Sequence, residues 1–447
     1  MIQIRNVTII NEGRRFKANV LIEGERIKTI ATFPAKVEET ANVIDAEGLW
    51  LLPGLIDDQV HFREPGLTHK GDIHSESRAG VAGGITSFMD MPNTVPQTVT
   101  IAALNDKFER ASRTSLANYT FFIGATNDNT DELTKAGAKR AAAVKVFMGA
   151  STGNMLVDDA DTLERIFSEV NHIIAVHCED ETVIAANKAR FIEEYGENLD
   201  VTFHSKIRDV EACYRSSSEA VRLAKKHRAR LHLFHLSTAK ELSLLEAKPL
   251  EEKQITAEVC VHHLWFTDED YATKGNLIKW NPAIKSRADR DALRRALIEG
   301  KIDVVATDHA PHTLPEKAGS CLKAASGGPM VQHALTVMLE MCRQGIFTEE
   351  LVVEKTAHAP ARLFGIKDRG FIREGYYADL VLVDPNHTWT VSKDNLLYKC
   401  GWSPMEGVTF SSKVQTTFVN GVPVYDNGRF NETFRGKELA FSSRNEF

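Results

Sequence analysis

From Leu51 to about residue 310 the chain repeats one unit, a short apolar run that ends in polar residues, followed by a longer stretch with helical periodicity. The runs are LLPGLID, ITSFMDM, YTFFIGA, AAVKVFM, HIIAVHC, RLHLFHL, ITAEVCV and DVVATDH. Strands that are apolar almost throughout are buried on both faces, the condition of parallel strands covered by crossover helices. Segments such as DTLERIFSEV, SSEAVRLAKKH and DRDALRRALIEG between them have the helical spacing. Eight such units predict a closed (β/α)8 barrel, a TIM barrel, whose site lies at the C-terminal ends of its strands. A chain of 447 residues has room for a barrel of roughly 250 residues and a smaller domain.

The flanks follow a different pattern. VTIINEG, KANVLIEGERIKTIAT and VIDAEG at one end, and ADLVLVDP, HTWTV and VQTTFVNGVPVYDNG at the other, are short alternating strands with Gly and Asn turn signals. Two β-rich ends around one barrel pair most simply with each other. The expected division is residues 1–52 and 367–447 as the two parts of a small β-sandwich and 53–366 as the barrel, with GIKDRGFIREGYY a short linker.

A formal net charge of −7 supplies no basic field for a polyanion, so neither nucleic acid nor an anionic membrane is an expected partner, and a small-molecule substrate is. The six cysteines lack CxxC spacing, which argues for reduced thiols in a cytoplasmic protein. No secretion signal opens the sequence, and no apolar run reaches the ~18 residues of a membrane span.

The polar residues at the strand ends carry the chemistry. The first run leads into Gln59, His61 and Arg63, which would share a strand face; Lys145 lies on the fourth, His177 on the fifth, His235 on the sixth and Asp308 on the eighth. Imidazoles with a carboxylate at one barrel mouth suit zinc or another borderline divalent ion. A protonated lysine would repel that ion. Lys145 fits only if burial lowers its pKa and the neutral amine takes up carbon dioxide, giving a carbamate whose two oxygens can bridge two metals. His262 and His263 read as packing or supporting residues, and His69, His74, His204 and His227 as surface histidines.

The motifs PGLIDDQVHFREPG, DMPNTVPQT, VKVFMGAS, AVHCED, FHLSTAK, AEVCVHHL and VATDHAPHT together resemble the cyclic amidohydrolases, most closely the type I dihydroorotases, in order and over nearly the whole chain. The resemblance implies one zinc ion on His61, a second on His177 and His235, a bridging carbamate on Lys145, and Asp308 as both ligand and general base. It implies substrate contacts from Arg63, Asn93, Asn281 and His312, and backbone contacts from Ser326 and Gly327. Asn93 and Asn281 also suit turns beside proline. Dihydroorotate carries a carboxylate that the forked guanidinium of Arg63 can read, whereas allantoinase-like sequences resemble this stretch with asparagine at that position. The expected reaction is the interconversion of N-carbamoyl-L-aspartate and dihydroorotate in pyrimidine synthesis, and the family implies a homodimer.

Gln59 departs from the family's HxH pattern, and Val261 stands where proline is common. A glutamine carbonyl is a weak neutral ligand, so the expectation is one or two zinc ions, with the first position weakened or empty. Two other readings stay open. One is a different cyclic-amide hydrolase, of the dihydropyrimidinase, hydantoinase or allantoinase type. The other is a non-catalytic scaffold associated with aspartate carbamoyltransferase, for which Gln59 is the only support.

Overall fold

The computed structural model describes residues 1–32, 42–149 and 154–442; the last two residues of the VKVFMGAS motif and residues 443–447 lie outside that range. The N-terminal strands are β1 (Ile2–Asn11), β2 (Arg14–Glu23), β3 (Arg26–Thr32), β4 (Asn42–Asp45) and β5 (Trp50–Pro53). β1, β2 and β3 form an antiparallel meander, and β4 and β5 both run parallel to β1. The first tight turn places Glu12 and Gly13 at φ 51° and 70°, the left-handed backbone that two-residue hairpins require.

All eight apolar runs become strands of the barrel. They are β6 (Leu55–Val60), β7 (Ile85–Asp90), β8 (Asn118–Phe121) continued past Phe122 by β9 (Ile123–Gly124), β10 (Val144–Phe147), β11 (Ile174–His177), β12 (Leu231–Leu233), β13 (Ile255–Cys260) and β14 (Val304–Ala306). Neighbours pair in parallel, and nearly every residue in these strands is buried. Between β8 and β9 the chain passes from one neighbour to the next, with Phe122 N–H donating to Asp90 O and Ile123 N–H to Ala143 O. The ring closes between the first and last strands. Val60 bridges His309, His61 N–H donates to His309 O at 2.7 Å, and the Asp57 carboxylate accepts from Thr307 Oγ1 at 2.6 Å and Thr307 N at 3.2 Å. The three expected helical stretches form at Ala160–Glu169, Val210–His227 and Arg287–Ile298, opened by the side-chain caps Asp159, Asp209 and Ser286.

The C-terminal strands are β15 (Leu380–Asp384), the separate pair β16 (Trp389–Thr390) and β17 (Thr409–Phe410), then β18 (Lys413–Val419), β19 (Val422–Asp426) and β20 (Arg429–Phe430). β15 pairs antiparallel with β5, Val381 opposite Leu52, which joins both chain ends in the order β20-β19-β18-β15-β5-β1-β2-β3 with β4 on β1. The protein is thus a (β/α)8 barrel with a small β-sandwich domain made by both ends. The stretch expected as a linker is packed: Asn11 brackets Ile372 through both its backbone groups, and Arg369 is buried.

The step from sandwich to barrel occurs at Gly54, inside the first apolar run. A Cβ there would lie 2.2 Å from Thr86 Oγ1, so only glycine fits. Gly54 N–H donates to Asp379 O, and the Asp379 carboxylate holds Arg369, Asn118 Nδ2 and Asn420 N, tying linker, barrel and sandwich together. Asp379→Ala leaves the buried Arg369 without its carboxylate and is expected to lower unfolding stability by about 3–5 kcal/mol, read from urea denaturation midpoints.

Candidate active site

The strand-end residues meet at one mouth. Because β6 and β14 are neighbours, His61 Nε2 lies 3.2 Å from Asp308 Oδ1, and His61 Nδ1 lies 2.7 Å from Asn93 Oδ1 just beyond β7. With the Asn93 oxygen accepting from Nδ1–H, the Nε2 lone pair faces a carboxylate, an arrangement that requires a cation or a proton between them. The Asp308 carbonyl accepts from Trp280 Nε1 at 3.2 Å.

At the end of β11 and just beyond β12, His177 Nδ1 and His235 Nε2 stand 2.9 Å apart. His177 Nε2 lies 3.0 Å from Glu179 Oε2, which also accepts from Arg208 Nη1 at 2.6 Å. Burial would raise the Glu179 carboxyl, but Arg208 and His177 overcome it and hold it down at about 2. An ionised Glu179 accepts a hydrogen bond from His177 Nε2–H, which leaves Nδ1 as the lone pair facing the mouth, the orientation a metal ligand needs. Burial lowers the pKa of both imidazoles, which favours their neutral forms, and His235 Nδ1 has no hydrogen bond among the described residues.

Lys145 is fully buried on β10, its Nζ 4.1 Å from the centre of the Phe234 ring and 4.8 Å from that of Phe147. Burial lowers its pKa to about 7, against the opposing pull of Glu258 and Asp308, so much of it is neutral amine at pH 7. Gln59 is buried too, but its Oε1 faces the Cys260 thiol at 3.7 Å.

Arg63, Asp308 and His235 all have positive φ, at 71°, 43° and 36°. Such backbone costs of order 1–3 kcal/mol for a non-glycine residue and gathers at functional sites. Arg63 Nε donates to Pro311 O at 3.0 Å, and its Nη2 lies 3.1 Å from His312 Nε2; burial lowers the guanidinium to about 10, where it remains charged. Lys70 Nζ lies 3.1 Å from His312 Nδ1, and His312 Nε2 lies 3.0 Å from Ser326 O. Gly327 N–H donates to Lys279 O and Gly327 O accepts from Lys317 Nζ, so with Ser326 O against His312 these backbone groups already have partners within the protein. Asn281 Oδ1 has no hydrogen bond among the described residues and follows Trp280, which touches Asp308.

His204, expected at the surface, is buried, with Nε2 2.7 Å from Trp280 O. His262 stacks on Trp280 at 4.3 Å, as a packing residue should. Glu179 and Arg208 escaped the sequence reading, although the Glu179 position two residues after His177 would have shared its strand face. Two further buried groups hold ligand-type atoms within 4.8 Å of one another, Cys260 with His262 and His263, and Asp58 with His232 and Glu258.

Residues 50–424 match the model of the amidohydrolase family, and the chain belongs to that family. Within it the chain is similar to dihydroorotases. It is 35% identical over 422 residues to the dihydroorotase of Halobacterium salinarum, covering 94% of this chain and 95% of the relative, and 32% identical over 434 residues to that of Lactobacillus johnsonii, covering 95% and 99%. The solved L-hydantoinase (dihydropyrimidinase) from Arthrobacter aurescens superposes with a TM-score of 0.92 at 26% identity, covering 98% of this chain and 99% of its own. None of the described helices is long and apolar enough to cross a membrane.

Glu179→Gln keeps the shape but removes the charge that fixes the His177 tautomer. It is expected to weaken zinc binding about 10–100-fold in a competition titration with a chromophoric chelator.

Proposed function

We propose that this chain is a zinc-dependent dihydroorotase that interconverts N-carbamoyl-L-aspartate and L-dihydroorotate in de novo pyrimidine synthesis. The observation that carries this reading is the meeting, at one barrel mouth, of a desolvated lysine, two neutral imidazoles with facing nitrogens, and Asp308, with Arg63 anchored beside them.

The donor set fits zinc. His177 and His235 present lone pairs at a separation that one ion can span, and neutral Lys145 can take up carbon dioxide to become an anionic ligand beside them. His61 remains able to contribute through Nε2, while Gln59, turned toward Cys260, offers little to an ion beside His61. When bound, zinc lowers the pKa of water toward neutrality and polarises the ring amide carbonyl.

The chain's own residues supply the rest. Asp308 accepts the proton released by the attacking water and returns it to the departing ring nitrogen, its carboxylate kept at the mouth by the β6–β14 seam. Arg63 binds the substrate carboxylate, anchored by its Nε–H on Pro311 O; His312 beside it is fixed by Lys70 at Nδ1 and by its Nε2–H on Ser326 O. Asn93 orients His61. The scaffold reading, support of aspartate carbamoyltransferase without turnover, is disfavoured because a decayed site would not keep a buried lysine among intact ligands.

The test is hydrolysis of L-dihydroorotate by zinc-replete, bicarbonate-treated protein, with dihydrouracil and allantoin alongside. Preferential dihydroorotate turnover is expected; preference for either other ring assigns the chain to that activity, and no turnover of any ring overturns the enzyme reading. Asp308→Ala should retain zinc at Lys145, His177 and His235 and lose at least ~10²-fold in kcat. Arg63→Lys keeps charge but loses the fork, and should raise KM for dihydroorotate by about 1–3 kcal/mol, roughly five- to 150-fold.

A further inference from the structure

Deeper in the barrel, β6, β12 and β13 send Asp58, His232 and Glu258 to one point, and all three are 0% exposed. His232 Nε2 lies 3.5 Å from Asp58 Oδ2 and 4.0 Å from Glu258 Oε2. Both Asp58 oxygens, Glu258 Oε2 and His232 Nε2 lack a hydrogen bond among the described residues. The His232 tautomer follows from its neighbour. Thr256 Oγ1 donates to Leu231 O at 3.2 Å, so at 2.9 Å it accepts from His232 Nδ1–H. The Nε2 lone pair therefore points at two carboxylates, with no donor between them.

Glu258 interacts with the Lys145 charge and its Oε1 accepts from His235 N and Cys260, but the rest of the surroundings are apolar. The rings of Phe234 and Phe364 lie 5.1 and 5.9 Å from His232, within a core that includes Ile56, Phe122 and Val304. Uncompensated buried carboxylates are among the most destabilising groups a protein can hold.

We propose that Asp58, His232 and Glu258 form a buried divalent-cation site, distinct from the ligand set at the mouth, for an ion of the zinc or manganese type. Ligand bonds of ~2.0–2.2 Å in tetrahedral arrangement set ligand atoms about 3.4 Å apart, close to the 3.5 and 4.0 Å observed. Two carboxylates balance the ion's charge, and an imidazole with carboxylates favours zinc or manganese over calcium or magnesium. The other buried cluster is less suited: the Cys260 thiol donates to Glu258 and His263 Nε2 lies 3.1 Å from Pro282 O. An ion here would brace the first, sixth and seventh strands against one another. Glu258 Oε1, accepting from His235 N at 3.1 Å, links it to the mouth.

The test is anomalous diffraction from crystals of the full chain equilibrated with zinc or manganese, recorded on both sides of each absorption edge. A peak enclosed by Asp58, His232 and Glu258 is expected; no peak there, with or without one at the mouth, overturns the proposal and leaves a shared proton as the compensating charge. Metal analysis of variants separates this site from the one at the mouth. Folded Asp58→Asn or His232→Gln should carry one ion fewer per chain, whereas Lys145→Ala should keep the deep ion. An unchanged metal count in folded Asp58→Asn overturns the proposal, and if neither variant folds the diffraction result decides.

Discussion

A barrel of parallel strands has no site until its last strand finds its first, and here that closure rests on a buried carboxylate. Asp57 on β6 accepts from the backbone and hydroxyl of Thr307, just beyond β14, and His61 N–H reaches His309 O one step further along. Burial pushes the Asp57 carboxyl up to about 7, so the seam's hydrogen bonds work against a desolvation penalty and gain from being shielded from water. Everything at the mouth inherits its position from this seam. His61 and Asp308 are neighbours because their strands are, and Arg63 reaches Pro311 O for the same reason.

Burial then decides the charge states. The apolar runs that make the barrel stable also strip water from Lys145, His177 and His235, which lowers the pKa of each and leaves them neutral or nearly so. Glu179 escapes the corresponding rise because Arg208 is beside it. The same hydrophobic packing that holds the strands together thus turns a lysine from a cation toward an electron-pair donor and keeps two histidines neutral, while one ion pair keeps a carboxylate available to orient His177.

The sequence disclosed the strands because parallel, doubly buried strands are nearly continuous in apolar residues. It was less able to show where a run changes partner. LLPGLID reads as one strand, yet Leu51 and Leu52 pair with β15 in the sandwich and Leu55 onward pairs with β7. YTFFIGA hides its break at Phe122 for the same reason. At the mouth, His177, His235 and Asp308 were visible as polar residues at the ends of apolar runs, and Lys145 as a cation set within one. The grouping of Asp58, His232 and Glu258 was not, since Asp58 directly follows the first run, His232 and Glu258 stand inside the sixth and seventh, and only the curvature of the barrel carries three distant strands to one point. His204 was misplaced because its burial comes from a backbone carbonyl, that of Trp280, which no side-chain pattern records.

A sandwich assembled from both chain ends also has a timetable. Asn11 bonds to Ile372, a separation of 361 residues, and β5 finds its partner β15 only after the whole barrel has been made. At ~5–20 residues per second a ribosome needs roughly 20–70 s to supply that partner. Throughout this interval β5 presents an unpaired apolar edge while the barrel strands are still emerging. The nascent chain is therefore most exposed to misassociation at its oldest end, and early termination anywhere before β15 leaves that edge open permanently.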